Sequence, residues 1–183
     1  MTKHIQQTQE TKQNLIEAFW SLYETKPLEQ ISVAEISSKA GYNRGTFYLH
    51  FKDLNELRDF SENLLFDKTK QCVGDCMHRL DKGDDPELCL QQMLSFYEQN
   101  KRQIVILFGE HGDPRFVERL KEEFKPLWKR YVFHKADGEE VNDLILEYTL
   151  SGAMFMVSKW LANPNGISAE KLLHLIYHTA LHR

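Results

Sequence analysis

The sequence has no segment suited to crossing a bilayer. Its longest strongly apolar run, Ile104 to Phe108, falls far short of the ~20 residues a membrane helix needs, and the opening MTKHIQQTQETKQ holds no apolar core for a signal peptide. A cytoplasmic protein with no membrane partner is the expectation. There are only three cysteines, Cys72, Cys76 and Cys89, an odd number in a chain without export signals, so reduced buried thiols are expected and a disulfide framework is not. The chain also lacks a phosphate-binding glycine loop, a nucleophile elbow and a His-Glu-x-x-His pattern, and with them the usual signs of an enzyme. The most site-like fragment, Gly109-Glu110-His111-Gly112-Asp113, reads better as an interhelical turn with a cap. No catalytic residue, cofactor or metal is expected. Internal repeats, low-complexity tracts and strand patterns are missing as well.

What is present is an ordinary folded composition: 183 residues, 42% hydrophobic and 27% charged, enough for one good core or for a small head on a larger body. The net charge of -4 is unevenly spread. Residues 1–52 carry six Lys/Arg against five Glu, whereas residues 53–183 carry seventeen basic against twenty-two acidic residues. A neutral-to-basic head on an acidic body suits nucleic-acid binding confined to the head, because phosphates require only a local cationic surface.

Almost every segment has helical period. Leu15, Ile16, Phe19, Leu22 and Tyr23 fall on one face and predict a first helix over residues 11–24. Ser32 with Glu35 forms a capping-box pattern that opens a second helix running to about Lys39. Gly41 ends it, and Asn43 caps a third helix through His50 or Phe51. Asp53 with Glu56 opens a long fourth, to about Leu80. Helices follow over 87–100, 103–108, 114–130 and 139–162, with Pro126 expected to kink or shorten its helix. Ser168 caps a last one. The sum is an all-α chain of about nine helices, divided into a head of residues 1–52 and a body of residues 53–183.

Two short helices joined by a glycine turn, packed on a preceding helix, form a helix-turn-helix, whose second short helix enters the major groove. Here Phe47 and Phe51, with Ile36, Val33 and Ala40, supply a small core. Arg44, Gly45, Thr46, Tyr48 and His50 are left for DNA, with Asn43, Ser32 and Lys52 at the ends of the motif. Arg44 can pair with phosphate or guanine, or alternatively with Glu35. Gly45 permits close approach, Thr46 can touch a base edge, and Tyr48, His50 and Lys52 can reach phosphates.

The stretch ISVAEISSKAGYNRGTFYLHFK, residues 31–52, preceded by an amphipathic helix, resembles the DNA-binding domain of the TetR/AcrR family of transcription regulators over about residues 11–57. Ser37, Tyr42 and Asn43 depart from the family's usual alanine, valine and serine; Tyr42 and Leu49 could alter which sequence is read. The resemblance implies a homodimer on a palindromic double-stranded operator, with a helical body that dimerises and often holds a small-molecule or protein effector. By family habit the expected action is repression released by that effector. An activator, or an interaction module on the same fold, stays open.

In the body, Met93, Phe96, Tyr97, Phe108, Trp128 and Phe155 either line an effector pocket or form plain core. Tyr148, Gly152, Phe155, Met156, Leu173 and Tyr177 are the candidates for the dimer interface, on the helices over 139–162 and 168–182. His174, His178 and His182 share one helix face at a spacing that could hold a metal, but an interface or solvated face accounts for them better. Cys72 and Cys76 likewise read as buried filler.

Overall fold

The structure is a computed structural model describing residues 2–109, 112–132 and 138–181. Among these the chain is helical with no strand. α1 is Thr2–Tyr23, α2 Val33–Lys39, α3 Arg44–Tyr48, α4 Leu54–Asp81, α5 Pro86–Phe108, α6 Pro114–Val132, α7 Glu139–Ala162 and α8 Ala169–Ile176, with a 3₁₀ turn at Leu28–Gln30 and a π turn at Tyr177–Leu181. The chain divides into two compact units, the first ending at Leu65 and the second beginning at Phe66.

The all-helical class is as expected, and the helix count differs by one for a local reason. Between Asn100 and Gln103 stand only Lys101 and Arg102, both good helix formers, so the two helices expected over 87–100 and 103–108 are the single helix α5. α1 starts nine residues earlier than the expected helix over 11–24, since no proline or glycine interrupts residues 2–10. α6 does not stop at Pro126 but continues to Val132, giving up the one backbone donor proline lacks.

The caps at Asp53, Asp113 and Ser168 are where the sequence puts them, and Asp85 adds another. Asp53 Oδ1 accepts from the Glu56 amide at 2.9 Å, Asp85 Oδ1 from Glu87 at 3.0 Å, Asp113 Oδ1 from Arg115 at 2.9 Å and Ser168 Oγ from Lys171 at 3.1 Å. Each satisfies an amide that has no partner within its own helix.

The first unit closes around Leu15, Ile16, Phe19, Trp20 and Tyr23 of α1, Ile31 and Ile36, Phe47 of α3, Phe51 and Leu57, all buried. Phe51 meets Phe60 edge-on at 5.8 Å, and Lys12 Nζ lies 3.5 Å above the Phe60 ring, a cation–π contact that covers this end of the core. In the second unit the buried stripe Phe116, Leu120, Phe124 and Trp128 recurs every fourth residue along α6, which packs chiefly on α7. Lys125, on the flank of that stripe, joins Glu122 of its own helix and Glu147 of α7, both at 2.5 Å.

The three cysteines are buried free thiols. Cys76 Sγ donates to the Cys89 carbonyl at 3.5 Å and Cys89 Sγ to the Cys76 carbonyl at 3.3 Å, so they fill the α4–α5 contact. His174 approaches Glu87 at 3.5 Å and stacks on His178; His182 lies outside the described residues, as do Glu110 and His111. Among the described residues no group of three or more His, Cys, Asp or Glu could hold a metal ion.

Candidate nucleic-acid interface

The start of α2 and the turn that leads from it to α3 are fixed by four residues. Ser32 and Glu35 exchange bonds in a full capping box: the Ser32 amide donates to Glu35 Oε2 at 3.0 Å and the Glu35 amide to Ser32 Oγ at 3.3 Å. Gly41 has φ +79°, a left-handed conformation that any side chain would resist. The chain then reverses, and Asn43 Oδ1 accepts the Thr46 amide at 2.8 Å to start α3. Helical bonding outlasts the assigned helix, because Leu49 remains right-handed and the Phe51 amide donates to the Phe47 carbonyl at 3.0 Å.

The division of faces follows from this winding. Phe47 is fully buried, whereas Asn43, Arg44, Gly45 and Tyr48 are exposed. Thr46 and His50 flank them, half-buried, and Ser32 and Lys52 are exposed at the ends of the motif. Of the expected core, Ile36, Phe47 and Phe51 are buried; Val33 and Ala40 are half-buried. The alternative partner for Arg44 is taken elsewhere. Glu35 pairs with Lys26 at 2.6 Å, and among the described residues Arg44 makes no ion pair. The Lys26 and Ser32 bonds hold the Glu35 carboxyl below its ordinary range.

Several side chains do more than the sequence suggests. The hydroxyl of Ser32 is engaged in its capping box, and Thr46 Oγ1 donates to Asn43 Oδ1 at 3.3 Å, so each offers DNA an acceptor and not a free donor. A Cβ added at Gly45 would stand 3.1 Å from Asn43 Oδ1, so the bare backbone there also protects the cap. Ser37 is buried with its hydroxyl donating to the Val33 carbonyl at 2.7 Å, which explains how a polar residue replaces alanine there. Tyr42 accepts from Asn14 Nδ2 at 3.0 Å and braces the turn against α1. His50 is held below the ordinary histidine value, first by burial and then by the charge of Lys12. Lys12 escapes sequence reasoning because it sits on the polar side of α1; Leu49, which the sequence marked as able to alter the DNA sequence read, is 83% exposed.

The body candidates are not brought together. Trp128 is buried, Met93, Phe96, Tyr97 and Phe108 are half-buried, and Phe155 is 67% exposed, which places it on an outer face and not in the wall of a closed cavity. Tyr97 meets Trp160 edge-on at 5.3 Å and Phe108 meets Phe116 at 6.4 Å. A polar cleft of about 450 Å³ is lined instead by Asp75, His78, Arg79, Lys82, Asp84 and Gln92. Of the interface candidates, Tyr148 and Phe155 are exposed, while Gly152, Met156, Leu173 and Tyr177 are half-buried.

Two short helices around a left-handed glycine, the second burying Phe47 and exposing Arg44 and Tyr48, define a helix-turn-helix DNA-binding protein. Residues 15–59 match the pattern of bacterial regulatory proteins of the tetR family, and residues 84–181 match that of a transcriptional regulator C-terminal region. The chain belongs to the TetR family and is a DNA-binding transcriptional regulator. It is 26% identical over 133 residues to the uncharacterised helix-turn-helix transcriptional regulator YvdT of Bacillus subtilis, covering 71% of this chain and 69% of that one. Its fold resembles a TetR regulator from Streptococcus agalactiae (TM-score 0.66, 24% identity, 98% of each chain). It also resembles NalD, the secondary repressor of the MexAB-OprM multidrug efflux pump in Pseudomonas aeruginosa (TM-score 0.67, 19% identity, 96% of this chain and 98% of that one). Members of this family bind operator DNA and act as dimers, and no helix among the described residues is long and apolar enough to cross a membrane.

Proposed function

We propose that the protein is a cytoplasmic repressor, and not an enzyme, that grips a palindromic operator as a homodimer. Residues 1–52 read the duplex; residues 53–183 dimerise and receive an effector. The observation that carries this reading is the exposed surface of α3, where Arg44, Gly45 and Tyr48 are open to solvent while Phe47 is buried. Arg44 supplies a bidentate donor to guanine or phosphate, Asn43 and Thr46 reach base edges, and Tyr48, His50 and Lys52 fix the register on phosphates, with Ser32 at the edge of the contact. Lys52 places its charge beside the N-terminus of α4.

The dimer is assigned to α7 and the end of the chain. Val141, Leu144, Tyr148 and Phe155 are exposed at spacings of three, four and seven residues, the seam of a helix that expects a partner helix. A Cβ at Gly152 would touch nothing within 4 Å in its own chain, so this position leaves room for a second backbone. Met156, Leu173 and Tyr177 extend the patch. For the effector, Trp128 offers a buried indole N–H with no acceptor among the described residues, a group that a ligand carrying a hydrogen-bond acceptor would satisfy. A bound effector releases DNA to the extent that it prefers the conformation with the wrong spacing between the two α3 helices.

Titrating the protein against duplex from its own upstream region, at several salt concentrations, tests this. Tight binding that weakens steeply with salt and is impaired by Tyr48→Ala and by Lys52→Ala is expected. Indifference to salt and to both substitutions would make the protein an interaction module.

A further inference from the structure

Leu49 is the most exposed of the large apolar side chains among the described residues, at 83%. Lone surface leucines are common, and exposure alone means little. Its position means more. Successive residues of a helix are turned by about 100°, so with Phe47 at 0% exposure pointing straight inward, the residues two before and two after it lie nearest the opposite side. These are Gly45 and Leu49, one turn apart. The backbone at Leu49 is still right-handed, with φ -75° and ψ -20°, and the Phe51-to-Phe47 bond shows that the turn has not unwound.

The outermost line of α3 therefore consists of a bare backbone followed by an isobutyl group, flanked by Arg44 and Tyr48. Gly45 lets the helix come close, and the first side chain to meet the floor of the groove beyond it can neither donate nor accept a hydrogen bond. In the major groove only one base presents an apolar group at its edge, the C5-methyl of thymine. We infer that Leu49 is a specificity-determining residue that reads a thymine methyl in each operator half-site. The inference rests on the DNA-binding reading given above.

The test starts by selecting duplexes from a randomised pool with the full-length protein, then replacing each thymine of the selected duplex by deoxyuridine, which removes only the methyl. One thymine per half-site should stand out, its replacement weakening binding about fourfold, or about fifteenfold when both half-sites are changed, the value of one buried methyl each time. Leu49→Ala, whose melting temperature should match the wild type, should bind the thymine duplex more weakly and no longer distinguish it from the deoxyuridine duplex at that position. The inference is overturned if no thymine methyl matters to the wild type, or if Leu49→Ala keeps the same preference. Failure of the pool to enrich any sequence overturns the DNA-binding reading itself and this inference with it.

Discussion

At the scale of single residues, the head depends on a few polar atoms that act on backbone before they act on DNA. Asn43 is the clearest case, since its side chain accepts both the amide and the hydroxyl of Thr46. Asn43→Ala should lower the unfolding free energy by about 1 kcal/mol in urea, and Asn43→Ser, which still caps, should recover most of the loss. His50 supports a prediction about pH. Burial and Lys12 lower its pKa in the folded state, so the folded protein binds fewer protons than the unfolded chain. The associated stability is complete above about pH 6.5 and is lost as pH falls through the lower, folded value. In urea titrations, His50→Gln should differ from wild type in its pH dependence only below about pH 6.5, where the wild type declines more steeply. Parallel curves would contradict this account. Phosphates of a bound duplex favour the charged imidazole, so DNA affinity should rise over the same acid range.

At the scale of elements, the start signals were the most legible part of the sequence. Ser32, Asn43, Asp53 and Ser168 each cap the helix they were expected to open, because a capping bond reaches only two or three residues and leaves its mark within that window. Continuity was less legible. The break expected after Asn100 does not occur, and α6 runs through Pro126, since packing of a long apolar stripe outweighs one missing hydrogen bond. Pro126→Ala should therefore raise stability by about 1–3 kcal/mol and increase the melting temperature. Within the site, inward Phe47 and exposed Arg44, Gly45 and Tyr48 could be read from residue type and the motif. What could not be read was that Glu35 also belongs to Lys26, because such a pairing depends on where chain segments meet in space.

At the scale of the whole molecule, the account requires two copies. The exposed seam of α7 gives the prediction: Tyr148→Glu combined with Phe155→Glu should yield a monomer in sedimentation, with helix content unchanged because both side chains face solvent in the single chain. Its DNA affinity should fall toward the non-specific range of about 10⁻⁴–10⁻⁶ M, since one head retains only half the contacts. A doubly substituted protein that stays dimeric would move the interface elsewhere.

The claim that α3 enters the major groove twice per dimer can be examined by chemical protection of guanine N7, an atom that lies on the floor of that groove. Bound protein should shield guanines in two patches on one face of the duplex, centred about 34–36 Å apart, and Arg44→Ala should weaken the shielding in both patches at equal occupancy. Tight binding that leaves every guanine N7 open to reaction would contradict it.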